Sequence, residues 1–303
     1  FIGSTSDNII VPNIAFTSID PRTSGGVKLP LTPYPSAGQL DADRDYLVKW
    51  TSQGLVATEP SHVDLHFSKT NGSPYLSGNL IANVANSTAA AAPATNNTHT
   101  AWTTPATTAD ITTTTPGNQF KVRVRDDDTA GGFDLYSFIE SGTYNLVAWF
   151  NNLRDGSDAA FSATTYCKVQ GTCTVKWDSH PTDIANVKVQ YNIGSGWVDT
   201  AGGTIANSGT YAWTVPNVSG MIGNDTQVRV LDMDTNHVQR TDPLPSANFN
   251  VVPNITMTTP PLGGGIRWRE TQIRNIHWKM TGDLATVSLV KVEYSLDADA
   301  NAA

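Results

Sequence analysis

Acidic residues at alternate positions come closest to a reactive site in this sequence. Asp41, Asp43 and Asp45 read D-x-D-x-D, and Asp232, Asp234 and Asn236 read D-x-D-x-N. Oxygen ligands at that spacing open a calcium loop, which also needs glycine at its sixth position and glutamate at its twelfth. Tyr46 and His237 stand at the sixth here, and Ser52 and Pro243 at the twelfth, so neither stretch is an EF-hand. Asp126, Asp127 and Asp128 follow a strand-like segment at the place matching Asp232. Calcium held at a domain junction would draw on Asp126, Asp128, Asp232 and Asp234. The competing reading is turn acids that hydrogen-bond their own backbone in water.

Cys167 and Cys173 are the two cysteines, separated by KVQGT. Gly171 lets that segment turn back, which brings both sulfurs within disulfide reach. Two buried thiols acting as small apolar groups are the alternative. His62 and His66 lie about 13 Å apart if their segment is a strand, too far to share a metal. No nucleophile elbow, zinc helix, phosphate loop or dinucleotide glycine motif occurs, and the sequence implies no cofactor. Glycosylation sequons begin at Asn71, Asn86, Asn96, Asn217, Asn224 and Asn254, in expected loops, turns or strand starts.

The elements carrying these residues alternate with period two. Val63, Leu65 and Phe67 alternate with Asp64, His66 and Ser68; Val187, Val189 and Tyr191 alternate with Lys188, Gln190 and Asn192. Phe120, Val122 and Val124 do the same, as do Val290, Val292 and Tyr294. One apolar and one polar face make each an antiparallel strand with a solvated side. Gly, Pro and Asn cluster between them as turn residues, and no amphipathic helix of three turns is present. The chain is expected to be all-β.

The strands recur in order. YLVKW (46–50), VDLHFS (63–68), AWTTP (101–105) and FKVRVRD (120–126) return as CTVKW (173–177), VKVQYN (187–192), YAWTVP (211–216) and QVRVLD (227–232). RNIHW (274–278) and VKVEYS (290–295) begin a third copy. A repeat near 100 residues matches one β-sandwich per copy. Trp50, Trp177 and Trp278 end an early strand, and Trp102 and Trp213 precede a proline, so all five are expected as core anchors. Trp149, Trp197 and Trp268 are freer to lie at the surface, Trp197 on a hairpin beside a Gly-rich turn. The first copy carries an insertion that includes NSTAAAAPATNNTHT (86–100), expected as an exposed loop.

A net charge of −8, with only 15% charged residues, leaves no basic stripe for phosphates and excludes nucleic acid as partner. No apolar stretch is long enough to span a membrane as a helix. Abundant Thr, Ser, Asn and Gly fit an extracellular or cell-surface location, where a disulfide would persist.

The ordered motifs W-T/D-S, V-x-V/L-x-Y/F, A-W-T-x-P and V-R-V-x-D resemble an Ig-like β-sandwich repeat family. Its members include yeast cell-wall glucan-assembly proteins, Ser/Thr-rich GPI-anchored wall proteins and tandem bacterial surface repeats. IAFTSIDPRTSGG (14–26) and ITMTTPPLGGGIRW (255–268) look like the start of that repeat, whereas the second copy has its Cys pair there instead. The resemblance implies a non-catalytic wall or surface role and tandem Ig-like sandwiches. The expected divisions are an arm (1–13), a first domain (14–155), a second (156–252) and a partial third (253–303). The expected role is a structural subunit of a filament, sheath or wall layer, with an adhesion or carbohydrate-binding module as the alternative. Expected partners are other copies of the chain and, in the wall, polysaccharide. The partial third copy reads either as a piece of a longer array or as a domain completed by the arm of another subunit.

Overall fold

The alternating segments form strands in the computed structural model of the chain, which describes residues 13–21, 38–53, 62–72, 75, 79–86, 95–114, 119–126, 138–260, 271–282, 287 and 289–293. The first unit runs through β1 (Asn13–Pro21), β2 (Gln39–Asp41), β3 (Asp45–Gln53), β4 (His62–Ser68) and β5 (Leu80–Ala85). It continues with β6 (Thr95–Thr103), β7 (Lys121–Asp126), β8 (Phe138–Glu140) and β9 (Asn145–Val147). One sheet has the order β1-β3-β6, the other β5-β4-β7-β8, and β2 pairs with β9 in parallel.

The second unit repeats this plan with β10 (Trp149–Arg154), β11 (Tyr166–Lys168), β12 (Thr172–His180) and β13 (Asn186–Asn192). Then come β14 (Trp197–Ala206), β15 (Thr210–Thr214), β16 (Gly223–Asp232) and β17 (Phe249–Val252). Its sheets are β10-β12-β15 and β11-β17-β16-β13-β14, with β11 and β17 parallel. A two-stranded hairpin follows, β18 (Asn254–Thr259) and β19 (His277–Thr281). The described chain is all-β, tandem Ig-like sandwiches with a hairpin of a third.

Equivalent side chains fill equivalent places. Tyr46 faces Trp102 across β3 and β6, and Cys173 faces Trp213 across β12 and β15. Trp50 and Trp177 are buried between their sheets, where each indole N–H needs an acceptor. Asn86 Oδ1 accepts from Trp50 at 2.8 Å and Asn207 Oδ1 from Trp177 at 2.9 Å. Trp213 stacks on Tyr191 with ring centroids 5.3 Å apart, and Trp102 tilts against Phe67 at 5.9 Å.

One serine closes each sandwich, in the same way in both units. Val122 N donates to Ser141 Oγ at 2.9 Å, and Val228 N to Ser246 Oγ at 3.0 Å. Each serine N–H returns a bond to the same valine's carbonyl, at 2.8 Å in both units. A buried strand N–H that would otherwise go unpaired is thereby satisfied twice over the fold.

Several expectations need correction. Trp149 to Arg154 pair with β12, so the first unit ends at Val147 rather than at 155, because a single residue, Ala148, carries the chain between units. Part of the expected loop at 86–100 is strand: Asn96 to His99 pair with Val48 to Thr51. The last strand lies at His277–Thr281 rather than 274–278. Trp278 is 43% exposed against 1% for Trp50 and 2% for Trp177, because no second sheet packs on its hairpin among the described residues. For the same reason Val290 and Val292 are exposed and outside any strand. Tyr294 and Trp268 lie outside the described residues. Ser68, expected on the polar face, is buried because its Oγ accepts from Thr70 N and Gly72 N. His66, also expected on the polar face, is buried as well.

Candidate functional site

The densest polar constellation lies where the two complete units meet. It is built by the β2–β3 turn and the β6–β7 loop of the first unit, and by the β12–β13 and β16–β17 loops of the second. Asp43 and Gln170 occupy the same turn position in their units, and both take a left-handed conformation, with φ of 52° and 56°. In the first unit that turn aims Asp41 at its neighbour.

Asp41 is fully buried, so its carboxylate needs partners. Arg44 donates to Oδ2 at 2.5 Å, and Arg240 of the second unit donates Nε to Oδ1 at 2.8 Å. Arg240 also donates to the Asp242 carbonyl. Tyr46 Oη accepts from the Asp41 N–H at 2.7 Å. Burial, and then the Asp41 charge, push the Tyr46 phenol far above its usual range.

Further contacts flank this pair. Thr241 donates its N–H and hydroxyl to Gln39 Oε1, both at 3.1 Å, while Gln39 Nε2 donates to the Gln239 carbonyl. Thr108 donates its N–H and hydroxyl to the Asp183 carboxylate. Val238 N donates to Thr112 O and Thr114 N to Asn236 O, each at 2.7 Å, so main chain joins the units too. Trp149, half-buried rather than at the open surface, donates its indole N–H to Ala42 O at 2.7 Å. Its ring stacks on His180, with centroids 4.6 Å apart, and Arg44 lies over it at 4.9 Å. His180 Nδ1 is 3.0 Å from Asp43 Oδ2. Beneath Trp149, only about 10 Å³ stays open among Ala148, Phe150, Val230 and Arg240.

The acidic candidates divide at this place. Asp232 is buried, with His237 Nδ1 2.6 Å from its Oδ2, and its Oδ1 accepts from Asp234 N. Asp234 Oδ2 lies 3.5 Å from His237 Nε2. The imidazole thus stands between the two carboxylates, on the wall of an open cavity of about 470 Å³ that Thr108 and Asp183 also line. Among the described residues no group of three or more His, Cys, Asp or Glu is placed to hold a metal ion. The Asp126 side chain, and Asp128 altogether, lie outside the described residues.

Cys167 and Cys173 form a disulfide, with Cα atoms 5.5 Å apart. They occupy the strand positions that Leu40 and Tyr46 occupy in the first unit. One unit therefore ties this corner covalently, and the other ties it through the Tyr46 hydroxyl. Of the sequons, Asn71 sits in the turn after β4 with φ of 60°, and Asn217 in the loop after β15. Asn96, Asn224 and Asn254 stand at the starts of β6, β16 and β18. Asn86 holds the Trp50 indole.

A second repeated feature went unread in the sequence. Arg123 lies 3.9 Å over the Tyr75 ring and 5.6 Å from that of Phe138, and Arg229, its equivalent, lies 4.2 Å over Trp197. Arg229 Nε donates to Gln190 at 2.9 Å. Burial lowers the pKa of both guanidiniums. The signal was the shared V-R-V segment, whose middle residue must face outward beside whatever its neighbouring strand supplies.

No protein-family model and no curated protein matches the chain. The chain is similar, at low identity and low TM-score, to several solved structures. Fibronectin(III)-like modules of Clostridium thermocellum CbhA are 14% identical, with 72% of this chain and 90% of that one covered at a TM-score of 0.23. A tetra-tandem repeat from the extending region of a large adhesion protein is 13% identical, covering 82% and 53% at 0.24. The IG1 and IG2 domains of DIP-gamma are 7% identical, covering 70% and 92% at 0.21. Among the described residues, no helix is long and apolar enough to cross a membrane.

Proposed function

We propose that the chain is a non-catalytic structural protein of the cell exterior, a subunit of a surface filament, sheath or wall layer. The carrying observation is the junction: a one-residue link and a buried Arg240–Asp41 pair fix one unit against the next. Domains that must move relative to each other meet through longer linkers and wetter contacts. The Cys167–Cys173 disulfide suits an oxidising compartment, and the ordered strand motifs suit the wall-protein repeat family. Electron microscopy of the native material tests this reading. Rods or sheets with a repeat of one chain length are expected, and dispersed monomers at the cell surface would contradict it.

A second reading is adhesion or polysaccharide binding. The paired Arg–aromatic platforms, Arg123 with Tyr75 and Arg229 with Trp197, favour it because a flat ring beside a donor suits a sugar face. Titration with soluble wall glucan, followed by Trp fluorescence and lost in Trp197→Ala, is the expected signature. A flat titration would remove this reading.

A further inference from the structure

The two complete units surround one pair of equivalent arginines differently. Arg123 and Arg229 hold the same place, each following the valine on which Ser141 or Ser246 closes. In the first unit β8 brings Glu140 opposite Arg123. Burial lowers the Arg123 pKa first, and the Glu140 charge works against it. In the second unit the residue opposite Arg229 is Pro245, one before Ser246 as Glu140 is one before Ser141. An acid in one sandwich is thus an uncharged ring in the other.

Arg229 is nonetheless held in place. Its Nε donates to Gln190 Oε1 at 2.9 Å, and its guanidinium carbon lies 4.2 Å over the Trp197 ring. Gln190 in turn donates to Asp199, whose other oxygen accepts from Lys188. Lys188 therefore matches the Asp199 charge, and neutral Gln190 stands between Asp199 and Arg229. Among the described residues the terminal nitrogens of Arg229 reach no acceptor, while burial lowers its pKa. A guanidinium already lying flat on an aromatic ring loses little freedom on binding, and its outer edge fits a carboxylate through two parallel hydrogen bonds. Beside it opens a cavity of about 370 Å³, with Leu231, Met233, Asp234, Gln239 and Thr241 on its wall. That volume lies in the range of small-ligand sites.

We propose that this cavity takes a uronic-acid residue of a polysaccharide, whose carboxylate stands beside Arg229 where Glu140 stands beside Arg123. The proposal rests on the polysaccharide reading and narrows it to acidic sugars. Arg229 supplies the charge and the fork, Trp197 keeps the fork flat, and Asp234 on the wall accepts from ring hydroxyls. Asp234 and the net charge of −8 repel a densely charged polyanion. The fitting polymer therefore spaces its uronic acids among neutral sugars.

The test is calorimetric titration of the full chain with glucuronosyl-xylobiose, with its carboxyl-reduced neutral form and with soluble glucan. The acidic sugar should bind about tenfold or more tightly than the reduced one, since a charge-assisted pair is lost with the carboxylate. Arg229→Gln should abolish that difference. Pro245→Glu, at an exposed position, returns the carboxylate of the first unit and should abolish it too, so the test survives a destabilised Arg229→Gln. Lys176→Gln removes an equal charge from the opposite sheet and should leave binding within about twofold. Equal binding of the acidic and reduced sugars, or acid binding that both Arg229→Gln and Pro245→Glu leave intact, overturns this site and leaves the polysaccharide reading standing. Acetate that competes as strongly as the acidic sugar overturns the sugar assignment. A chain that binds none of the three saccharides overturns the site and the polysaccharide reading together.

Discussion

Arg240 donates its Nε to Asp41 across 2.8 Å, joining two sandwich units through a carboxylate that is wholly shut off from water. Arg240→Ala leaves that charge with Arg44 as its remaining arginine partner. Removing one member of a buried pair costs about 3–5 kcal/mol. Urea unfolding should show a loss of that order, and Asp41→Asn with Arg240→Met should restore part of it.

The tryptophans permit a comparison inside one chain. Trp50→Ala and Trp177→Ala should each cost about 3–5 kcal/mol, because each leaves a large cavity between two sheets. Trp278→Ala, made on a half-open hairpin, should cost about 1 kcal/mol or less. Equal losses at all three positions in chemical denaturation would contradict the burial described above.

Ser141 and Ser246 serve their valines alike, so their truncation should act alike. Ser141→Ala and Ser246→Ala each leave a buried strand N–H without its acceptor, at about 1–3 kcal/mol. Hydrogen exchange at Val122 and Val228 should accelerate in the matching variant only.

The Cys167–Cys173 bridge closes a short loop, which limits its effect on the unfolded chain to about 2 kcal/mol. Cys167→Ala with Cys173→Ala should lose that much in thermal unfolding. Cys167→Leu with Cys173→Tyr, which copies the first unit's Leu40 and Tyr46, should lose less.

Asp178 ties β10 to β12. Its carboxylate accepts from Asn152 Nδ2 at 2.6 Å and from Arg154 at 2.8 Å. The Asn152 bond first, then Arg154, hold its pKa below the ordinary 3.8. A depressed folded-state pKa stabilises the fold above the unfolded value, and that contribution vanishes as pH falls through the lower folded one. NMR titration should place Asp178 below its ordinary value, and Asn152→Ala should raise it. The side chain is partly exposed, so the effect on stability should be small and sensitive to salt.

The sandwich strands were legible because a face that packs against another sheet repeats every second residue, as Val187, Val189 and Tyr191 do. The junction was not legible. Asp41 and Arg240 are 199 residues apart, one at the end of a three-residue strand and the other in a loop, where no period carries information. Asp41 was visible only as one of three alternating acids. Nothing local distinguishes a carboxylate facing an arginine of the next unit from one facing water. Trp149 misled for a related reason: it opens a strand of the second unit while standing beside the last strand of the first. The third copy misled in the other direction, because its motif promises burial that only a second sheet can supply.

The single-residue link at Ala148 also decides how the molecule meets a pulling force. Tension along the chain enters the first unit at β1, is passed on to β2 and leaves through the end of β9, and β2 and β9 are parallel. They must therefore slide lengthwise, with their hydrogen bonds loaded together, instead of unzipping one at a time. With no slack between units, β10 takes up the load two residues later. Such a chain resists stretch from its first ångström, as a tether of floppy linkers does not.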